Sequence, residues 1–162
     1  MNNTNGFQTN VWGAPAWLFL HTIAMNYNPE RKQQYRSFFE SLQGVIPCGA
    51  CRDNYLRIIS TKRPLNDKVL ESRQTFAYWL FLVHNQVQQD IYDKTGLKGD
   101  KPKYENNKED FRKIVQFYEM FRAKCSKNSH GCVVPKKGTR LRAHISIRKF
   151  SGIRRGTAIK MI

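Results

Sequence analysis

The sequence predicts an all-α protein, a small bundle of four or five helices followed by a basic, irregular C-terminal tail. Apolar residues recur three or four positions apart in five segments before residue 125. Runs rich in Val, Ile and Thr, which would indicate strands, are absent from residues 1–125, and no alternation of strands with helices occurs. Residues 120–162 contain 12 of the 28 Lys and Arg and none of the 12 Asp and Glu, so they carry +12 of the net charge of +16. The expected division is a nearly neutral helical domain, residues 1–124, and a basic extension, residues 125–162.

The first three helices follow from their start and stop signals. The first is predicted to begin near Pro15, because proline is tolerated in a first turn, and to end between residues 26 and 29. The second is predicted from about Arg31 to Leu42, where Gly44 is expected to stop it. The third is predicted from Cys48 to about Ser60.

The last two helices are predicted from their apolar stripes. The fourth, from about residue 72 to residue 92, is apolar over most of its circumference and is therefore expected to be central. Its predicted inward stripe is Phe76, Leu80, Val83, Val87 and Ile91. The fifth, from about residue 108 to residue 124, has a predicted inward stripe of Phe111, Ile114, Val115, Tyr118 and Phe121. In the extension, residues 142–148 alternate like a short strand.

Four cysteines form two local pairs, and the first pair indicates redox chemistry. Cys48 and Cys51 are two residues apart after Pro47, and a helix that begins at Cys48 would stabilise a thiolate there. The same spacing is half of a zinc site, with Cys125 and Cys132 as the other half. The second pair has six intervening residues, whereas structural zinc pairs usually have two to four, so redox chemistry is favoured. Cys125 and Cys132 are interpreted as a structural disulfide, a shuttle pair, or free thiols or metal ligands.

Three ordered motifs carry a resemblance to a known family. WGxPxWxFLHxxA begins at Trp12, PCxxC at Pro47, and FxYWLxxxHNxV at Phe76. Together they resemble the Erv/ALR-type FAD-linked sulfhydryl oxidases, especially the compact ones of large DNA viruses, over roughly residues 11–118. The resemblance implies a helical bundle, often a homodimer, that holds FAD and oxidises dithiols of protein substrates, with O₂ reduced to hydrogen peroxide.

The resemblance also implies roles for particular residues. Cys48 would be the thiol that meets the substrate, and Cys51 would lie next to the flavin. The other expected FAD contacts are Trp12, Gly13, Trp17, His21, His84, Asn85, Val87, Gln88 and Tyr104. Lysines between residues 94 and 103 are expected near the phosphates.

Targeting and charge suggest where the protein acts and what else it binds. No secretory signal, transit-peptide pattern or membrane-spanning run is visible, so a soluble protein is expected, in the host cytoplasm where a virus assembles or in the virion. The basic tail is interpreted either as a solubility segment or as a binding site for nucleic acid or an acidic partner. The alternative function is therefore a zinc- or disulfide-stabilised basic protein that binds nucleic acid or assembles particles.

Overall fold

Five α-helices form the fold in the computed structural model, which describes residues 6–96, 105–125 and 131–136. Short 3-10 turns at Pro29–Arg31 and Val69–Glu71 and a π-helical turn at Ile58–Lys62 connect or extend them. The helices are α1 Thr9–Met25, α2 Lys32–Val45, α3 Gly49–Arg57, α4 Arg73–Thr95 and α5 Lys108–Glu119. The predicted all-α class is confirmed.

Helix α4 is the central element, as predicted. Phe76, Leu80 and Val83 are fully buried along one side of it. Phe39 of α2 packs edge-on against Phe76, with ring centroids 5.1 Å apart, and α1 packs against the same helix. The side chain of Ser72 caps the first turn of α4 through a capping box with Thr75. This burial explains why α4 is apolar over most of its circumference.

Two predicted helix ends, the start of α1 and the end of α2, are wrong. Helix α1 begins at Thr9, so Pro15 lies inside it and leaves the carbonyl of Val11 without its usual helical donor. The turns before Pro15 are stabilised by a residue that precedes the helix, because the indole N–H of Trp12 donates to the Phe7 carbonyl. Helix α2 continues through Gly44 to Val45, since one glycine in a helix costs only about 1 kcal/mol.

The end of α5 and two inward-facing positions also differ from the prediction. Helix α5 ends at Glu119, and residues 123 and 124 instead form a short strand, β1. Phe121 is exposed because it lies in the turn after α5, where helical spacing no longer applies. Ile91 is exposed because it lies beyond Val83, the last buried apolar residue of α4. The predicted strand at residues 142–148 lies outside the described residues.

The chain divides into two compact units between Gln116 and Phe117, within α5 and shortly before the predicted domain boundary. In the second unit, β1 (Ala123–Lys124) pairs antiparallel with β2 (Val134–Pro135). A Cys125–Cys132 disulfide joins the chain between these two strands. The assignment of residues 1–124 and 125–162 as functional domains stays a prediction. No helix in the described ranges is long and apolar enough to cross a membrane.

Candidate active site

Cys48 and Cys51 form a disulfide at the start of α3, with Cα atoms 5.2 Å apart. Cys48 is the N-cap of this helix, and its Sγ accepts a hydrogen bond from the backbone N–H of Cys51 at 3.3 Å. Arg52 fixes the preceding loop, because its guanidinium donates to the Ile46 carbonyl at 2.7 Å. An N-cap thiolate is stabilised by the unpaired N–H groups and dipole of the helix. After reduction, Cys48 is therefore in a position that favours the thiolate.

Trp17, His21 and His84 form a second group, here called the ring cluster, where α1 meets α4. The rings of Trp17 and His84 stack, with centroids 3.9 Å apart and planes inclined by 8°. His21 Nε2 and His84 Nδ1 share a hydrogen bond of 3.1 Å. His21 is buried, with 4% of its surface exposed, whereas Trp17 and His84 are half-buried. The structure thus brings together three of the predicted site residues from helices more than 60 positions apart.

Both imidazoles of the ring cluster are neutral at pH 7. Burial, assisted by the neighbouring His84, lowers the pKa of His21 from 6.5 to about 3. Burial also lowers the pKa of His84 from 6.5 to about 4. The cluster therefore presents flat, uncharged rings with polar nitrogens, which suits a flat aromatic ligand better than a charged one.

The other predicted residues of α4 divide between two sides of the helix. Gln88 lies on the side of His84, with its amide nitrogen 3.4 Å from His84 Nε2, and Val87 is half-buried. Asn85 is buried and its amide donates to the Asn106 side chain at 3.1 Å. In this structure the Asn85 amide therefore holds the segment that leads into α5.

Gly13 and Trp12 occupy different surroundings on α1. Gly13 precedes Trp17 by about one helical turn on the same side, and a Cβ atom there would meet no other atom within 4 Å. Trp12 lies about 140° around the helix from Trp17, because five residues separate them. Its indole N–H bonds to Phe7 instead. Gly13 thus opens space beside the ring cluster, whereas Trp12 lies at the entrance to α1. Tyr104 lies outside the described residues.

Asp90 is a buried carboxylate that the sequence analysis missed. It is 7% exposed and accepts hydrogen bonds from Arg57, Lys62 and Gln86. Burial alone would raise the pKa of Asp90, but these three hydrogen bonds outweigh it, and the pKa is lowered. The ion pairs join α4 to the end of α3, the helix that begins at the disulfide. Nothing local in the sequence marks this residue, because its cationic partners lie about 30 positions away.

The N-terminal segment beside the disulfide was missed as well. The N–H of Phe7 donates to the carbonyl of Pro47 at 2.9 Å. A Cβ on Gly6 would lie 2.6 Å from that carbonyl oxygen and 3.3 Å from the Cα of Cys48. Gly6, Phe7, Pro47 and Cys48 together form what is here called the disulfide mouth. The close backbone approach accounts for a glycine at position 6.

All four cysteines are in disulfides, the second being Cys125–Cys132 with Cα atoms 4.5 Å apart. In the ranges that the structure describes, no three His, Cys, Asp or Glu side chains are grouped as metal ligands.

Comparisons with known proteins agree with this geometry. The model of the Erv1 / Alr family matches residues 14–112, which include the ring cluster and the first disulfide. A protein of Acanthamoeba polyphaga mimivirus named "Probable FAD-linked sulfhydryl oxidase" is 44% identical over 80 residues, covering 47% of this chain and 55% of the viral protein. An FAD-linked sulfhydryl oxidase of African swine fever virus is 33% identical over 91 residues, covering 51% of this chain and 70% of that protein.

The similarity extends to a plant protein. An FAD-linked sulfhydryl oxidase of Arabidopsis thaliana is 31% identical over 83 residues, covering 49% of this chain and 41% of the plant protein. The chain thus spans about half the length of the mimivirus and Arabidopsis relatives. The matched region, residues 14–112, is more than half of this chain, and it folds into helices with a disulfide at the start of α3. The chain therefore belongs to the Erv1/Alr family.

Proposed function

We propose that this chain is an FAD-dependent thiol oxidase that forms disulfides in protein substrates and reduces O₂ to hydrogen peroxide. The observation that carries the proposal is the Cys48–Cys51 disulfide at the start of α3, in the same compact unit as the neutral ring cluster. A helix-capping disulfide supplies a thiol exchange centre, and the ring cluster supplies a surface for a flat electron acceptor. The names of the relatives support the same activity.

The residues present fit FAD. Trp17 and His84 offer stacked aromatic surfaces, and the two neutral histidines offer nitrogen atoms for hydrogen bonds. The open space over Gly13 provides room beside these rings. His84, Val87 and Gln88 continue this surface along α4. When bound, FAD would accept the electron pair of the Cys48/Cys51 dithiol and transfer it to O₂.

The protein part of the reaction is a pair of thiol–disulfide exchanges. A substrate thiolate attacks Sγ of Cys48, a mixed disulfide forms, and Cys51 leaves as a thiolate. The second substrate thiolate attacks the substrate sulfur of the mixed disulfide and releases Cys48 as a thiolate. The N-cap position of Cys48 stabilises this leaving group. In sum, two thiols and one O₂ give one disulfide and one hydrogen peroxide.

A homodimer is part of the proposal. Leu18 and Phe19 are half or more exposed on α1, a large apolar surface for a helix that packs against α4. Burial of such a surface against a second copy would stabilise both. Sedimentation of the purified protein would show a species of twice the chain mass, and a monomer at micromolar concentration would contradict this part.

The basic extension and the second disulfide suggest further roles. The +12 charge of residues 120–162 supports binding to nucleic acid or to an acidic partner. Cys125–Cys132 would serve either as a structural link or as a relay of oxidising equivalents. We place the protein in the host cytoplasm or the virion, in keeping with its viral relatives.

A visible-light spectrum of the purified full chain tests the central proposal. We expect a flavin absorption band that dithiothreitol bleaches without air, and uptake of one O₂ for every two thiols once air is admitted. A colourless protein that takes up no oxygen contradicts the proposal. If such a protein bound DNA in a salt-sensitive way, the alternative of a basic assembly or nucleic-acid-binding protein would be favoured instead.

A further inference from the structure

An open apolar cavity lies directly beside the disulfide mouth. It measures about 450 Å³. Its walls are Phe7, Gln8, Val11, Trp12 and Pro47, so the glutamine is its single polar side chain among four apolar ones. Phe7 is 76% exposed and Val11 is 50% exposed, which leaves their apolar surface available. The ring cluster uses none of these residues.

The position of this cavity restricts what can occupy it during the reaction. Pro47 is joined to Cys48, so one wall begins about 3.8 Å from the Cα of the cysteine that we propose meets the substrate. In a disulfide the two Cα atoms are about 5.5 Å apart. A residue next to the substrate cysteine therefore lies within about 10 Å of Cys48 whenever the mixed disulfide forms. The cavity is within reach of its side chain.

The chemistry of the cavity indicates which side chain fits. Cysteines are among the most buried residues of folded proteins, so apolar neighbours are common around those that will form structural disulfides. In a substrate that has not finished folding, such neighbours are exposed together with the thiol. An apolar side chain that enters the cavity would leave water and contact Phe7, Val11 and Pro47.

We propose that this cavity is a substrate subsite that selects incompletely folded polypeptides with an apolar residue next to the reacting cysteine. The inference rests on the proposed oxidase function and specifies its substrate class. Phe7 and Val11 are its specificity-determining residues. The N-terminal segment is held in place for this purpose by the Phe7–Pro47 hydrogen bond and by the absence of a side chain at Gly6.

The test measures exchange at Cys48 without electron transfer to a cofactor. In a full-length Cys51→Ser protein, the Cys48 thiol is offered short peptides whose cysteine carries a thionitrobenzoate disulfide. Cys48 attacks the peptide sulfur, a protein–peptide disulfide forms, and thionitrobenzoate leaves as a coloured thiolate. The peptides differ in one residue, leucine or asparagine, placed directly before or directly after the cysteine.

We expect the leucine peptide to react about tenfold faster than the asparagine peptide, below saturation, in at least one of the two positions. Val11→Asn and Phe7→Ser should each reduce this ratio to about two or less. Val45→Asn is the matched control, because Val45 is a helical valine that is 67% exposed but lies outside the cavity. The control should keep the ratio.

Several results would overturn the inference. These are a ratio near one in both positions, an unchanged ratio in both cavity variants, or a preference that emerges only after residues 1–5 are removed. Loss of flavin in Val11→Asn would assign the cavity to the cofactor, and dissociation of a dimer with an unchanged ratio would assign it to a second copy. Oxygen uptake with dithiothreitol, a substrate with no side chain for the cavity, separately tests the proposed function.

Discussion

The ring cluster and the disulfide mouth lie in the same compact unit but are constructed in opposite ways. Trp17, His21 and His84 are held by one another, through ring stacking and a histidine–histidine hydrogen bond in a largely buried setting. The mouth is held by backbone, through the Phe7–Pro47 hydrogen bond and the close approach of Gly6, and its Phe7 side chain is 76% exposed. The first arrangement suits a ligand that stays bound, and the second suits a substrate that must enter and leave.

The largest effect is expected from a change that breaks the disulfide at the mouth and spares the cluster. Cys51→Ser removes the thiol that must leave when a substrate attacks Cys48, so turnover with dithiothreitol should fall by about a hundredfold or more. Flavin content per chain, read from the absorption band, should stay the same. Loss of flavin together with activity would show that the two regions are not separable in this way.

The converse change removes a ring from the cluster and spares the mouth. Trp17→Ala deletes the surface that stacks on His84, and flavin affinity should fall about tenfold. Trp17→Phe, which keeps a flat ring, should retain most of the flavin. Equilibrium dialysis of added FAD measures both variants. If Trp17→Ala binds FAD as tightly as the unaltered chain, the cofactor does not use this cluster.

The cluster should also make folding stability depend on pH. The folded-state pKa values of His21 and His84 lie below 6.5, so the unfolded chain binds protons on these rings at pH values where the folded chain does not. Stability from this source is complete above pH 6.5 and is lost as the pH falls towards 4. The expected slope is up to about 1.4 kcal/mol per pH unit for each histidine.

Urea unfolding of unaltered and His21→Gln protein between pH 7 and pH 4 measures this contribution. Replacing His21 should make the slope shallower by up to about 1.4 kcal/mol per pH unit, because one of the two proton-binding rings is gone. Equal slopes in the two proteins would mean that His21 is not kept neutral by burial.

The smallest effect is expected from two glycine substitutions that contrast the mouth with an ordinary helix. Gly6→Ala must displace the N-terminal segment, because its Cβ would lie 2.6 Å from the Pro47 oxygen. The free energy of unfolding should therefore fall by about 1 kcal/mol or less. In Gly44→Ala the new Cβ would have open space around it in α2. Because alanine is favoured over glycine inside a helix, this variant should be more stable by about 0.5–1 kcal/mol. Amide hydrogen exchange at Phe7 should accelerate in the first variant alone.

The spacing of apolar residues along the sequence predicted the helices, because a helix that packs on others buries one side. Phe76, Leu80 and Val83 identified α4 because a buried helix needs an apolar stripe, and the structure confirms it. Ring stacking between Trp17 and His84 did not follow from spacing, because the two residues lie in different helices. The family motifs alone indicated that they belong to one site.

Contacts across long stretches of sequence were not predictable in this way. The bonds of Asp90 to Arg57 and Lys62, and the approach of Gly6 to Pro47, depend on how the helices are arranged in space. Pro15 misled the prediction of α1, since Trp12 bonds to Phe7 and Phe7 is itself held by the carbonyl of Pro47. Sequence reasoning therefore singled out Cys48 and Cys51, which pair in the structure, and missed the segment beside them.

The hydrogen bond between Phe7 and Pro47 has a consequence for the design of N-terminal fusion proteins of this chain. Because the backbone at Gly6 lies beside Cys48, a polypeptide attached a few residues before Gly6 is tethered close to the disulfide. A thiol carried on such a fusion would have an effective concentration of about millimolar at Cys48, without any affinity of its own. Purification tags or reporter proteins that contain cysteine would then act as built-in competitors of the natural substrate.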